Sequence, residues 1–435
     1  MNIVETENKT EQKWNLKEHV KYHWGRVWND VRNLFKWLLL AVMTGVIVGV
    51  ISCLFAYALT AVTVFRENNN WVFLCLPLAG LCIAFLYDKY GKGDGGANQV
   101  FSTVRSKDNV RFRAAPLIFI STSLTHLTGG SAGREGAVIQ LGGSIGNRLG
   151  HILPLDEEDR HVMIMCGMSA AFAALFGTPM AAAVFSMEVI SVGLMYYTAL
   201  VPCVVAALTA TNIAACMGVH AEAFHVMEIP AFTVGNAVKI GIVALCCAGL
   251  SVLFCMLLKW VGRFYKKYFS NPYLRIVAAS GLIIVITVLL GTTEYMGAGT
   301  GLIAKAIEEG TARPLNFFWK MVLTALTMKA GFKGGEIVPS FCIGATFGCV
   351  LGNLLGISPS ICAACGMVAL FCGVTNCPLT ALLISFELFG FEGVSFYLIA
   401  VSISYAASGY YGLYKDQTIV YSKYKAKYVN QNIKS

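Results

Sequence analysis

Gly129-Gly130-Ser131-Ala132-Gly133-Arg134-Glu135-Gly136 closes one apolar run and opens the next, Ala137 to Leu149. A charged Arg-Glu pair among glycines, in a chain this hydrophobic, is costly to hold in lipid and so marks a functional site. The glycines remove side chains, which lets backbone N–H groups approach a ligand. The helix that follows aims its positive end at the same spot and favours an anion there. Glu135, itself an anion, stands where such a ligand would stand, and the stretch reads as a gated anion pathway.

The stretch has a second copy. Cys166-Gly167-Met168, Pro179, Ala182 and Glu188 recur without gaps as Cys365-Gly366-Met367, Pro378, Ala381 and Glu387, all at an offset of 199. Upstream, Gly133-Arg134-Glu135 and Leu141-Gly142 to Gly146 pair with Gly334-Gly335-Glu336 and Ile343-Gly344 to Gly348. Two related halves, each with a glycine-rich break before a helix, match the transporter plan in which the halves meet at a midplane binding site. An odd number of crossings per half would make the halves inverted.

Composition sets the class: 435 residues, 56% hydrophobic and 13% charged, describe a polytopic membrane protein in a lipid bilayer. A span needs about 20 mainly apolar residues. Such runs fall near 35 to 65, 71 to 87, 114 to 130, 162 to 190, 197 to 216, 237 to 262, 275 to 291, 316 to 331, 337 to 356 and 360 to 409. The longest must hold more than one helix. The opening residues lack the apolar core and small-residue site of a cleaved signal, so the first span is expected to do the targeting.

The net charge of +9 does not point to nucleic acid, because Lys and Arg sit at span edges and termini. Lys13, Lys17, Lys21, Arg26, Arg32 and Lys36 stand at the start, and Lys415, Lys423, Lys425, Lys427 and Lys434 at the end. Arg105, Lys107, Arg111, Arg113 and the Lys259 to Lys267 cluster add to them. The positive-inside rule places all of these, and both termini, in the cytoplasm. The fifteen cysteines are scattered through apolar stretches and read as small hydrophobes. The lone Cys362-x-x-Cys365 reads the same way, and no metal or cofactor is expected.

Residues 11 to 34 carry Leu16, Val20, Trp24, Val27 and Val31 at helical spacing, which predicts an amphipathic helix lying on the inner interface. His19 and His23 have metal-ligand spacing but no third ligand, so solvated histidines are expected. Tyr90 to Val100 holds four glycines in six residues. It introduces Ala97 to Val104, too short and polar to span, so a third helix start could lie partway into the membrane, as backbone lining protein or water can. A cytoplasmic loop is the other reading of that stretch.

These residues carry a family resemblance. The sequence resembles the CLC chloride channels and transporters, in a prokaryotic form without CBS domains, from about Phe35 to Tyr421. Glu135 matches the family's external gating glutamate. Gly334-Gly335-Glu336-Ile337-Val338-Pro339 matches its GGxxxP motif. Asp94-Gly95-Gly96-Ala97-Asn98 falls where GSGIP belongs, and Tyr421 where the central tyrosine belongs. Gly95 replaces the central serine, Asn98 and Ala137 replace prolines, and Val189 occupies the internal glutamate position of proton-exchanging members. That valine resembles the channel branch; the missing serine resembles the fluoride-exporting branch.

The resemblance implies an all-α, inverted-repeat fold with re-entrant and partial helices, a homodimer with one pathway per subunit, and a bacterial plasma membrane. The expected segments are an amphipathic stretch at 1–34, repeats at 35–220 and 230–414, and a helix with a basic tail at 415–435. Chloride is the expected ion, with Glu135 as gate; a proton-coupled chloride or fluoride antiporter is the alternative. Helix N-termini at Ala97, Glu135 and Ile337, flanked by Gly95, Gly96, Arg134, Gly136, Glu336 and Val338, would supply partial charges, and Tyr421 a hydroxyl. Full cations would bind too tightly for conduction. Glu188 and Glu387, on apolar helices, are expected to brace helix ends, and His126 to be a satisfied core residue. An intramembrane serine protease also fits Gly129-Gly-Ser131-Ala-Gly133 as GxSxG. The second half has no histidine, and the repeat would go unexplained.

Overall fold

A computed structural model describes residues 16–91, 93–105, 110–425 and 427–433, and for residues 16–22 the backbone alone. Lys13, Lys107 and Lys434, and the side chains of Lys17, His19 and Lys21, lie outside the described residues. The first half runs α1 (Leu16–Asn68), α2 (Leu76–Tyr90), α3 (Ala97–Arg105), α4 (Ala114–Leu127), α5 (Glu135–Ile152), α6 (Glu157–Phe176), α7 (Pro179–Glu188) and α8 (Leu200–Cys216). The second runs α9 (Val234–Tyr268), α10 (Pro272–Leu290), α11 (Thr300–Glu308), α12 (Asn316–Ala330), α13 (Ile337–Leu355), α14 (Pro359–Thr375), α15 (Pro378–Phe389) and α16 (Val394–Ala407). Local signals set many of the ends. Proline opens α7, α10, α14 and α15, where its missing N–H costs nothing. Asp156 caps α6 through the Asp159 amide at 2.7 Å, and Gly177, at φ 70°, ends that helix.

Every apolar run becomes helix, and the run at 360 to 409 holds three. Helices such as α1, α9, α10 and α13 are long and apolar enough to cross a membrane. Leu39, Leu78, Val288 and Leu289 are more than half exposed on such helices, as a face turned to lipid requires. The short α3 begins at Ala97, as the glycine-rich stretch predicted.

Two expectations change. The amphipathic segment at 16–34 is not a separate element. It continues without a break into the first span, making α1 a helix of 53 residues, about 80 Å at 1.5 Å per residue. No proline falls between Leu16 and Asn68, and an isolated Gly25 does not stop a helix. The second change is at the C-terminus, where strands replace the expected helix. β1 (Ser191–Val192) pairs parallel with β2 (Thr418–Tyr421), which pairs antiparallel with β3 (Tyr428–Asn432). Thr418-Ile419-Val420-Tyr421 is wholly β-branched and aromatic, a strand composition. Its Ile419 is fully buried against Val192 and Ile433.

Glycine brings the helices together. A Cβ on Gly142 of α5 would overlap Gly167 O of α6 and stand 2.6 Å from Ala171 Cβ; one on Gly344 of α13 would overlap Gly366 O of α14 and stand 2.9 Å from Leu370 Cβ. The same close approach recurs at Gly146 and Gly348, so the repeated glycines are packing positions of the small-xxx-small kind.

The halves also exchange contacts reciprocally. Glu188, at the end of α7, accepts the Leu379 and Thr380 amides at the start of α15 at 3.1 and 2.9 Å, and the Thr380 hydroxyl at 2.6 Å. Glu387, on α15, accepts the Met180 and Ala181 amides at the start of α7 at 2.8 and 2.9 Å. Each contact maps onto the other at the repeat offset, the signature of a two-fold relation. Both glutamates therefore brace helix starts, as expected. Glu188→Gln sets an amide NH2 against donors and should destabilise the fold by about 1–3 kcal/mol, the cost of an orphaned buried group. A lowered melting temperature in detergent would show it; an unchanged one would reduce the brace to a passive contact.

Candidate functional site

The two glycine-rich breaks meet. Gly133 and Gly335 form an antiparallel bridge, each amide donating to the other's carbonyl at 2.8 Å. This sets the N-termini of α5 and α13 against each other, so two positive helix ends converge on one place. Glu135, the first residue of α5, is fully buried. Its Oε1 accepts the Ile337 amide at the start of α13, and the Val338 amide lies beside it. Among the described residues its buried Oε2 has no partner. A Cβ on Gly133 would overlap Oε2, and one on Gly335 would overlap Oε1. Gly136 lies against the same turn, where a Cβ would be 2.7 Å from Gly334 O. The carboxylate thus fills a cradle built of glycine, with Oε1 on the helix amide of Ile337.

The bridge also corrects the repeat register at this point. Gly133 faces Gly335 and both helices start two residues later, so Arg134 corresponds to Glu336 and Glu135 to Ile337. The two cap positions carry opposite charges. Arg134 pairs with Glu222 and lays its guanidinium 5.3 Å from the Phe176 ring centroid. Glu336 pairs with Lys329 at 2.8 Å. Both side chains are occupied by ion pairs, so what these positions offer an anion is backbone.

The α3 start behaves differently from expectation. The Gly96 amide donates to Asp94 Oδ1 at 2.9 Å and the Gly95 amide to Gln99 Oε1 at 3.0 Å. Gln140 of α5 also donates to Asp94 Oδ1, at 2.7 Å. Side-chain oxygens therefore occupy these amides in place of an ion, and composition alone did not show that Asp94 and Gln99 would turn back on their own loop.

Tyr421 is a correction. It lies on β2, is 49% exposed and packs its ring on Tyr428, because the alternation of a strand turns it outward. Tyr414 is the buried tyrosine of the described C-terminal segment after α16. Its ring sits edge-on to Phe101 of α3 with centroids 4.8 Å apart, and it is close enough to interact electrostatically with Glu135 and Glu336. The segment carrying it is tied to the end of α14, where Leu413 N donates to Val374 O at 2.9 Å and Gln417 Nε2 to Thr375 O at 2.9 Å. The missed signal was the β-branched run itself, which argued for a strand at 418–421 and left the last buried aromatic seven residues earlier. Tyr414→Phe should weaken anion binding by about 0.5–1.5 kcal/mol, the net worth of one hydrogen bond, while Tyr421→Phe leaves it unchanged. Calorimetric titration with the anion distinguishes the two, and the reverse ranking would restore Tyr421.

Val189 is the cap residue just after α7 and is fully buried. Ser131 shares a hydrogen bond with Thr324 at 3.0 Å, while His126 Nε2 faces the Gly133 carbonyl at 3.3 Å. The GxSxG serine is thus not paired with that histidine. Beside Arg134 opens a cavity of about 440 Å³, with Arg66, Glu67, Glu222, Glu294 and Lys305 on its walls. This vestibule reaches as far as Arg134, the residue before Glu135 in the chain. Cys362 and Cys365 are free and buried, as packing residues are.

The family model described as Voltage gated chloride channel matches residues 79–409. A chloride/fluoride channel protein of Pseudomonas syringae pv. tomato is 38% identical over 385 residues, covering 86% of this chain and 84% of its own. Among solved structures, a CLC-type fluoride/proton antiporter superposes with a TM-score of 0.84 at 34% identity, over 88% of this chain and 98% of that one. A slow cyanobacterial Cl-/H+ antiporter superposes with a TM-score of 0.76 at 19% identity, over 86% and 94%, a likeness of fold.

Proposed function

The chain belongs to the voltage-gated chloride channel family, and from that premise we propose that it carries a small anion, chloride or fluoride, along a pathway gated by Glu135. The observation that supports this most directly is the Glu135 carboxylate seated on the first amides of α13. Ionised, it holds the outer anion position itself. Protonated, it loses its charge-assisted hold and leaves the amides to an anion. Amide dipoles then bind the ion without a full opposite charge in contact, which lets it leave as readily as it enters. Tyr414 supplies a hydroxyl deeper in the pathway. The protein works as an integral membrane homodimer in the bacterial plasma membrane, one pathway per subunit. Both termini lie in the cytoplasm in this reading, which the basic end of α9 and Arg111 and Arg113 before α4 support.

Conduction is passive in this reading. A strict exchanger needs a second titrating group to pass the proton on, and Val189 cannot titrate. Glu188 beside it is committed to the start of α15. Proton-coupled exchange is favoured by one observation, the similarity to the fluoride/proton antiporter. Proteoliposomes with the membrane potential clamped separate the readings. A chloride or fluoride gradient is expected to drive anion flux and no uphill proton movement. A stoichiometric proton flux that vanishes in Glu135→Gln would establish exchange instead.

A further inference from the structure

Lys320, on α12 in the apolar run at 316 to 331, is completely buried. Its ammonium donates to Tyr295 O at 3.0 Å and Gly297 O at 2.6 Å. Both acceptors are neutral, and among the described residues no carboxylate pairs with it. The cations on the vestibule wall are each matched: Arg134 by Glu222, Lys305 by Glu294 at 2.6 Å, and Arg66 by Glu67 at 3.2 Å. A buried charge left unmatched costs several kcal/mol or more, and an ionisable group inside a membrane is there for function unless shown otherwise.

Its placement says what the charge acts on. Gly297, Ala298 and Gly299 line the vestibule with one face. Their other face rests on Lys320, since a Cβ on Gly299, at φ 87°, would stand 3.0 Å from Lys320 Cε and 3.2 Å from Nζ. One thickness of main chain therefore separates the ammonium from the vestibule. The same Gly297 carbonyl accepts the Ala132 amide at 3.1 Å, and the Gly297 amide donates to Gly130 O at 3.1 Å. Lys320 is thus fastened to the loop that leads into the cradle, and the Glu135 carboxylate lies within its electrostatic reach.

We infer that Lys320 is the fixed positive charge that sets anion affinity at the outer site, acting through the Gly297–Gly299 main chain without touching the ion. The inference rests on the transport reading above. Held behind a backbone wall, the charge raises anion occupancy of the vestibule and the cradle, yet cannot close around the ion as a contacting cation would. It also offsets the carboxylate when Glu135 is seated, and an anion when Glu135 has left.

The test uses full-length protein in proteoliposomes, with initial uptake of chloride and of fluoride measured against external concentration. Lys320→Met and Lys320→Gln should raise the half-saturating concentration about tenfold, the effect of one charge acting across a partly screened interior, with the maximal rate retained. Lys320→Arg, which keeps the charge, should shift that concentration less than either neutral variant does. The same ratios should appear in a Glu135→Ala background. The glutamine variant keeps a donor for the two carbonyls, so it decides the matter if the methionine variant does not fold. An unchanged half-saturating concentration would overturn the inference. So would an equal loss in the arginine variant, which would mark a packing role, or an effect confined to chains that retain Glu135, which would mark Lys320 as a support for that side chain. Wild-type protein that moved no anion would instead sink the transport reading itself.

Discussion

Glu135→Gln is expected to carry anion at a rate that no longer depends on pH. In the wild-type chain the ionised carboxylate competes with the ion for the Ile337 amide, so flux should rise as pH falls and protonation removes the competitor. Glutamine keeps the shape and one weak acceptor but has no charge to lose. Hydrogen bonds to charged groups are worth about 1.5–3 kcal/mol, so losing that hold should raise occupancy of the open position about ten- to a hundredfold. Liposome efflux across a pH series measures both effects. Retention of the wild-type pH profile in the mutant would remove Glu135 from the gate.

The cradle gives a second large effect from a residue that carries no chemistry. A methyl group at position 133 would overlap Glu135 Oε2 and stand 2.7 Å from Oε1 and 2.8 Å from Cδ, so all three of the nearest atoms belong to the gate side chain. Gly133→Ala should therefore evict the carboxylate while leaving the backbone in place, and reproduce the open, pH-independent flux of Glu135→Gln. In a Glu135→Ala background the same methyl should have no further effect, because the group it displaces is gone. Gly335→Ala makes the contrast. Its methyl would also lie 2.7 Å from the Gly136 amide nitrogen, so it should lower thermal stability as well. Wild-type gating in Gly133→Ala would show that the carboxylate does not reside between the two glycines.

Much of this arrangement was legible in the sequence. Each long apolar run could satisfy its backbone in lipid only as helix, and the repeat exposed the two glycine breaks and the two glutamates that brace helix ends. What was hidden depended on geometry between distant segments. The pairing of Glu135 with Glu336 read similarity in the linear motif, whereas the Gly133–Gly335 bridge aligns Arg134 with Glu336. Tyr421 and Tyr414 lie seven residues apart in an aromatic-rich tail. Only the pairing of β2 with β1, contributed by residues 191–192, shows which tyrosine turns inward. Asp94 and Gln99 look like ordinary loop residues until their oxygens are seen on the Gly96 and Gly95 amides. Lys320 stood unremarked in an apolar run because nothing local reveals the two carbonyls that hold it.

The mutual brace of Glu188 and Glu387 has a consequence for biosynthesis. The amides that receive Glu188 lie 191 and 192 residues further along the chain. At about 5–20 residues per second, the ribosome needs roughly 10–40 s to make them. Throughout that interval α7 has been made, but its terminal carboxylate has no helix end to rest on and the Met180 and Ala181 amides have no acceptor. The first half therefore carries this closing surface unpaired until the second half is made. α15 supplies both missing partners at once, so the two halves close in a single docking event.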